Sequence, residues 1–353
     1  MSGLLRRIGS MALATALAIA LVTFATCATF ATFATSARAD TPPNPWDAAR
    51  DPAAADRYAL HHTVRQLLAS ARLSPRDAVL LRARALLEEG HAADSPDVRL
   101  QFDLGELEYE LENFEGTVEV LSKALKIAPD DPASNQAYVE LANAYAKLDR
   151  SADERRVYER YLPRITSDAA RAIALLNLAE ADMHLGDLDG AIDGYRVALE
   201  VANQLPNEVL ISESTNTLAV WGLAVALDRS GDVAGGAKEA KLAIDLDRDM
   251  LLIRSNRDQV FFKPERERDW YVALGFTEYA KQATEARTAA TFWRRAEGCW
   301  REYIDDVRAH TAADRWADLA RIRLERAHAQ RLAAEKRIGA KGVIVYPQYE
   351  CAR

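Results

Sequence analysis

A two-part pattern recurs four times along this chain, at spacings of 37, 37 and 45 residues. Each copy contains a Leu followed by a small residue and, about 20 positions later, a second contact pair. A period of this length is typical of an array of stacked helical hairpins, in which each hairpin buries surface only against its neighbours. The copies are Leu104-Gly105 with Ala124-Leu125, Leu141-Ala142 with Tyr161-Leu162, Leu178-Ala179 with Ala198-Leu199, and Leu223-Ala224 with Ala243-Ile244.

The apolar residues of each copy fall at helical spacing, which predicts that every copy is a pair of helices. Gly105, Ala142, Ala179 and Ala224 place small side chains on the first helices, as close packing at ~8–10 Å requires. Ala, Leu, Glu and Arg dominate the composition and Gly is sparse, which also favours helices. The pattern predicts four repeats near residues 98–131, 135–168, 172–205 and 217–250.

On these residues the chain resembles tetratricopeptide repeat proteins. The third copy matches the family pattern best, and the second departs most, because Glu154 and Tyr161 occupy positions that are normally small. We expect their bulk to splay that hairpin. The resemblance implies an all-α fold, an α-solenoid of stacked antiparallel helical hairpins that forms a right-handed superhelix. The matching positions of the third copy are Leu178-Ala179, Gly186-Asp187, Ala191, Tyr195 and Ala198-Leu199.

The remaining segments complete this prediction. Residues 40–54 are rich in Pro and Asp and are predicted to be a linker, and residues 205–215 a longer loop between repeats. An N-terminal helical hairpin is expected over residues 55–97. Further along the chain we predict an irregular fifth repeat over 251–312, a polar capping helix over 313–338, and an extended tail over 339–353 whose apolar segment 342–347 is β-like.

The amino terminus has the features of a secretory signal peptide over residues 1–39. Arg6 and Arg7 precede an apolar run, and Ala37-Arg38-Ala39 offers the small residues of a cleavage site. The mature chain would then begin at Asp40 and be periplasmic or secreted. The alternative is a retained anchor over residues 11–34, because the run is long enough (~20 residues) to span a bilayer. Only in that case do we expect membrane contact.

The formal net charge of −8 makes nucleic acid an unsuitable partner. Cys299 and Cys351 are the two cysteines outside the amino-terminal segment. In an oxidising compartment they could form a disulfide; otherwise they are two unpaired thiols.

Nothing in the sequence predicts catalysis. There is no His-Glu-x-x-His, Cys-x-x-Cys, Gly-x-Ser-x-Gly or phosphate-loop motif. We therefore expect no catalytic residue, no metal site and no cofactor, and we interpret the chain as a non-enzymatic protein.

In tetratricopeptide repeats the first helix of each unit lines a concave face that binds proteins or peptides, so the resemblance implies a groove here. Only Asn143 fits the family's carboxylate clamp, whereas Glu106 and Glu180 stand where Asn is required, which argues against a clamp. The alternative for the apolar members is that they pack between hairpins as core. The predicted groove residues are Phe102, Glu106, Tyr109, Glu110, Asn143, Lys147, Leu176, Glu180, Met183, Trp221, Val225 and Arg229.

These observations favour a scaffold or adaptor of the cell envelope that binds a protein or peptide partner. Two alternatives stay open. Aromatic and carboxylate side chains in the groove could instead bind carbohydrate or cell wall. Residues 94–131 carry eleven acidic and three basic residues, and residues 315–341 carry three and eight, so the two ends could also pair in a self-assembling structure.

Overall fold

The computed structural model describes residues 45–71, 76–205, 210–254, 260–310, 314–338 and 351. Over these residues the chain forms fifteen α-helices and three short 3₁₀-helices, and no strand. The α-helices are α1 Pro45–Arg50, α2 Pro52–Ala71, α3 Arg76–Glu89, α4 Val98–Glu110, α5 Phe114–Ile127, α6 Ser134–Lys147, α7 Ser151–Tyr161, α8 Asp168–Leu185, α9 Leu188–Asn203, α10 Leu210–Ser230, α11 Val233–Leu246, α12 Leu251–Arg254, α13 Glu267–Gln282, α14 Ala286–Ala309 and α15 Ala317–Ile338.

The turn inside each repeat has one conformation that recurs with the sequence period. Glu112, Asp149, Gly186 and Gly231 all have positive φ, between 57° and 96°, in the turn after the first helix. This left-handed residue ends the first helix and reverses the chain. The second helix then starts with a side-chain cap in three repeats, where Asn113, Asp187 and Asp232 accept hydrogen bonds from the backbone N–H groups of Gly116, Gly190 and Gly235.

Small residues set the spacing of the helices, as the sequence predicts. A methyl group added at Gly105 would lie 2.0 Å from a Leu121 methyl carbon, and one added at Gly194 would lie 2.9 Å from the Ala179 methyl. From α1 to α11 and from α12 to α15, each helix packs on the next one along the chain. In addition, α4 packs on α6, and α8 packs on α10. The fold class is thus confirmed as an all-α array of stacked antiparallel helical hairpins.

The spacing of the first helices is uneven at the second repeat. The backbones of α6 and α8 approach each other less closely than those of α4 and α6 or of α8 and α10. Glu154 and Tyr161 of α7 are buried beside this wider gap, and Tyr161 stacks on Tyr138 with ring centroids 5.4 Å apart. The hydrophobic core also divides here, since the first half of α8 belongs to one cluster and the second half to another.

The predicted fifth repeat differs from a stacked repeat in the direction of its first helix. Glu267 and Trp270, near the start of α13, contact Arg229 and Asp228 at the end of α10. Gly275, one to two turns later, lies beside Trp221 in the middle of α10. α13 therefore runs antiparallel to α10, whereas successive first helices of a regular array run parallel.

The last two helices complete the array. α14 has 24 residues, and α15 packs along it. Cys299 of α14 is bonded to Cys351 with an S–S distance of 2.06 Å, so the structure contains the disulfide rather than two free thiols. The backbone N–H of Cys351 also donates a hydrogen bond to Glu302 at 2.8 Å.

Two predicted loops are partly helical. The segment predicted as a linker contains α1 and the start of α2, because Pro45 and Pro52 occupy first helical positions, where proline is favoured. The loop predicted over 205–215 is helical from Leu210. The signal peptide (1–39), the possible anchor (11–34) and the β-like segment 342–347 lie outside the described residues.

The Cys299–Cys351 disulfide closes a loop of 52 residues, so its loss should destabilise the carboxyl-terminal helices. The chain-entropy model gives about 4 kcal/mol for a loop of this length. We expect Cys351→Ser to lower the thermal midpoint of helix loss by several degrees. Dithiothreitol should lower the midpoint of the wild type to a similar value and leave the variant unchanged. Equal midpoints for the oxidised wild type and the variant would contradict this prediction.

Candidate partner-binding groove

The structure divides the predicted groove residues into two sets. Six are buried: Phe102, Leu176, Met183, Trp221, Val225 and Arg229 have at most 8% exposure. They are part of the packed interior, so the prediction that they contact a partner directly is wrong for this conformation. The six that remain partly accessible are Glu106, Tyr109, Glu110, Asn143, Lys147 and Glu180, all on α4, α6 and α8.

The carboxyl-terminal end of the groove is filled by the chain itself. Trp221 is fully buried, and its indole N–H donates to Asp247 at 3.3 Å while α13 covers its ring near Gly275. Arg229 donates to Glu267 at 2.7 Å. Its guanidinium lies 4.4 Å from the ring centroid of Trp270. These intramolecular contacts fill the space in which a partner would bind at the fourth repeat.

The buried carboxylate of Asp228 also fixes the carboxyl-terminal end of the groove. Asp228 accepts a hydrogen bond from the indole of Trp270 at 3.2 Å and forms an ion pair with Arg323 of α15 at 2.9 Å. The guanidinium of Arg323 also donates to the backbone carbonyl of Asp228. One carboxylate therefore connects α10, α13 and α15.

The segment before α13 reaches the second repeat. Phe261 lies against Lys147 of α6, with the ammonium nitrogen 3.7 Å from the ring centroid. Burial and the nearby Lys263 lower the pKa of Lys147. Phe262 is buried and packs edge-on against Tyr271. Lys147 thus marks the border between the filled and the accessible part of the groove.

In the accessible part, polar side chains bridge the gap between α6 and α8. Asn177 of α8 donates to the hydroxyl of Tyr158 at 2.8 Å, and that hydroxyl donates to Asn143 of α6 at 3.5 Å. Tyr109 of α4 shares a hydrogen bond with Asn143, and burial raises the pKa of Tyr109 to about 12. The network places hydroxyl and amide groups where a partner backbone could bind.

Three carboxylates of this region have raised pKa values. Burial, followed by the charge of Glu106, raises the pKa of Glu140, although Glu140 accepts a hydrogen bond from Gln136 at 2.8 Å. Burial and Glu180 together raise the pKa of Glu154, which is only 6% exposed. Burial also raises the pKa of Glu180. Within the part of the chain that the structure describes, Glu154 and Glu180 have no hydrogen bond or ion pair.

The first hairpin pairs with the outermost acids of the groove. Arg65 of α2 binds the carboxylate of Glu106, and Arg76 of α3 binds Glu110 at 2.6 Å. The carboxyl groups without an ion-pair partner therefore lie deeper, near the gap between α6 and α8. This arrangement favours a cationic or hydrogen-bond-donating group over an anion.

No group of three His, Cys, Asp or Glu side chains in the described residues could hold a metal ion. Over the same ranges, no helix combines the length and the apolar character needed to cross a bilayer. Glu140, Glu154, Tyr158 and Asn177 were not predicted as groove residues, because none of them lies at a ligand-facing position of the family pattern. The bulk of Glu154 at a normally small position was the one signal that pointed to them.

No protein-family model and no curated protein sequence matches the chain. Among solved structures it is similar to BtubC (BKLC) from P. vanneervenii, with 18% identity, TM-score 0.47, and coverage of 57% of this chain and 86% of that one. It is also similar to MamA, with 14% identity, TM-score 0.37, and coverage of 71% and 98%. A third similarity is to a signal-transduction ATPase with a tetratricopeptide repeat sensor from Pyrococcus horikoshii, with 15% identity, TM-score 0.48, and coverage of 78% and 44%.

Because each of these TM-scores is below 0.5, the fold assignment rests on the helices and contacts of this chain. The stacked antiparallel hairpins define an all-α solenoid, and its repeat motif resembles that of tetratricopeptide repeat proteins.

Glu154 makes stability depend on pH in a testable direction. Its pKa is raised above 4.5 in the folded state, so the folded protein retains a proton that the unfolded chain releases. Relative to a Glu with an ordinary pKa, protonated Glu154 stabilises the folded protein at low pH. This stabilisation is lost as the pH rises through the raised pKa of Glu154. We expect Glu154→Gln to stabilise the protein by about 1 kcal/mol at pH 7.5 and by less at pH 5, since one pKa unit is worth about 1.4 kcal/mol.

Thermal unfolding at both pH values measures this difference. Glu159→Gln, at an exposed position of the same helix, is the matched control. It removes a surface ion pair with Arg155, so its small effect should be the same at both pH values. A Glu154→Gln effect that is equal at the two pH values would contradict the assignment.

Proposed function

We propose that the protein is a non-catalytic interaction scaffold that binds a partner protein on the accessible inner surface of α4, α6 and α8. The observation that carries this proposal is the polar gap between α6 and α8, where Tyr109 and Asn143 are accessible and two carboxylates have no partner. A surface that was only structural would pair these carboxylates, because a buried carboxylate without a partner is unfavourable.

The carbohydrate alternative has less support. Sugar-binding surfaces need several exposed aromatic rings in a row, and the burial of Trp221 leaves Tyr109 as the accessible aromatic residue among the predicted groove positions. The partner we propose is therefore a polypeptide segment that follows the inner helices. It hydrogen-bonds with Asn143 and presents basic or donor groups to Glu180.

We also propose that the protein works in the cell envelope. The apolar segment with its small-residue cleavage site supports export, and the disulfide between Cys299 and Cys351 fits an oxidising compartment.

Site-specific photo-crosslinking tests the proposed binding surface. A benzophenone amino acid at Tyr109 or Asn143, both on the inner surface, should give the same covalent adduct with one partner in intact native cells. Val197 and Leu242 are each 45% exposed on outer helices and are the matched control positions, which should give no such adduct. Adducts from the outer positions alone would contradict the proposal.

Export predicts the mass of the mature protein. Purified from its native cells, the chain should begin at Asp40, so that its mass lacks residues 1–39 and reflects one disulfide. A protein that retains residues 11–34 would show that the anchor alternative is correct. A cytoplasmic protein with free thiols would contradict the envelope location.

A further inference from the structure

A segment of the chain itself lies against the proposed binding surface. Residues 260–262 have no regular secondary structure, and the ring centroid of Phe261 lies 3.7 Å from the ammonium nitrogen of Lys147 on α6. Six residues later, Glu267 accepts a hydrogen bond from Arg229 of α10 at 2.7 Å, and its carboxylate lies 3.9 Å from Nε2 of His184 on α8. Residues 260–266, which we call the inner segment, therefore cross the carboxyl-terminal ends of α6, α8 and α10.

The two phenylalanines of the inner segment have different surroundings. Phe262 is 5% exposed and packs edge-on against Tyr271, with ring centroids 5.1 Å apart, so it anchors the segment to α13. Phe261 is only partly buried and contacts α6. The ring of Phe261 is thus presented to the groove rather than to the core.

Few interactions hold the inner segment on α6. Among the described residues, no hydrogen bond or ion pair joins residues 260–263 to α6 or α8. Lys263 adds a second positive charge near Lys147, and Glu112 at the end of α4 offsets part of it. The stacking of Phe261 on Lys147 is therefore a contact that a competing aromatic side chain can replace without breaking a hydrogen bond.

Lys147 and Asn143 lie on one face of α6, since they are four residues apart. The ammonium group of Lys147 attracts the face of an aromatic ring. The side-chain amide of Asn143 can form hydrogen bonds with the backbone beside that ring. Together the two side chains fit an aromatic residue and the peptide group next to it.

From these contacts we infer that the partner presents an aromatic residue to Lys147 and that Phe261 competes with it for this place. The inference rests on the proposed function, because it specifies the polypeptide that binds to the same surface. Phe261 acts as an internal competitor: partner binding is weakened by the fraction of molecules in which Phe261 covers Lys147. The recognised element is an aromatic side chain with accessible backbone on either side.

Binding of a labelled peptide tests the inference. The probe is a fluorescein-labelled peptide with the sequence of residues 260–266, and fluorescence anisotropy measures its affinity for the oxidised, full mature chain. We expect Phe261→Ala to raise the affinity by about fivefold or more, because the place on Lys147 becomes free. Adding Lys147→Met to Phe261→Ala should remove most of this gain, since the ring then loses its cation.

Matched controls separate the ring contact from other effects. Phe261→Tyr retains the ring and should bind the peptide as the wild type does. Lys126→Met, at an exposed position of the outer helix α5, makes the same change of charge as Lys147→Met and should leave the gain of Phe261→Ala intact. A second peptide with Leu at both Phe positions is apolar but has no ring, so it should not distinguish Phe261→Ala from the wild type. Unaltered helicity and thermal midpoints establish that every variant is folded.

The same substitutions should act on the native partner. In intact native cells, Phe261→Ala should increase the yield of the adduct formed from a benzophenone at Asn143, and Lys147→Met should decrease it. Equal peptide affinities of the wild type and Phe261→Ala, including the absence of binding to both, would overturn the inference, as would a gain that survives Lys147→Met. If the affinities are equal and Tyr109 or Asn143 still gives the adduct, this inference fails and the proposed function stands.

Discussion

The buried carboxylate of Asp228 is the interaction on which the carboxyl-terminal half of this protein depends. It holds Trp270 of α13 and Arg323 of α15 against the end of α10, and the neighbouring Arg229 pairs with Glu267. All five side chains are buried, so removing one partner would leave an uncompensated charge, at a cost of about 3–5 kcal/mol. This cluster keeps α13 antiparallel to α10 and thereby fills the inner surface of the fourth repeat.

The inner surface is filled at the fourth repeat but stays accessible on α4, α6 and α8. There α6 and α8 lie farther apart, and Tyr109, Asn143 and Glu180 stay partly accessible near the buried Glu154 and Tyr158. Glu154, whose bulk at a normally small position was visible in the sequence, lies in this region. The binding surface that we propose is therefore next to an irregular repeat.

The sequence predicted what depends on local interactions. The repeat period and the small residues predicted the hairpins. The left-handed turn residues at positions 112, 149, 186 and 231 recur with the same spacing as the repeats. It could not predict the direction of α13, because the pairs that determine it join residues 38 and 42 positions apart and follow no periodicity. Trp221 and Arg229 were assigned to an open groove for that reason: the family pattern identifies the inner side of a helix, but not what else covers it.

The direction of α13 is the central claim, because it decides which half of the groove a partner can reach. Spin labels at three exposed sites test it: Ser230 at the end of α10, Glu265 just before α13, and Lys281 near its end. Pulsed electron–electron double resonance should give a Ser230–Glu265 distance that is shorter than the Ser230–Lys281 distance by about 15 Å, since α13 is ~24 Å long and adjacent helices lie ~10 Å apart. The opposite order of the two distances would show that α13 stacks parallel to α10 as a regular fifth repeat, with the whole inner surface open.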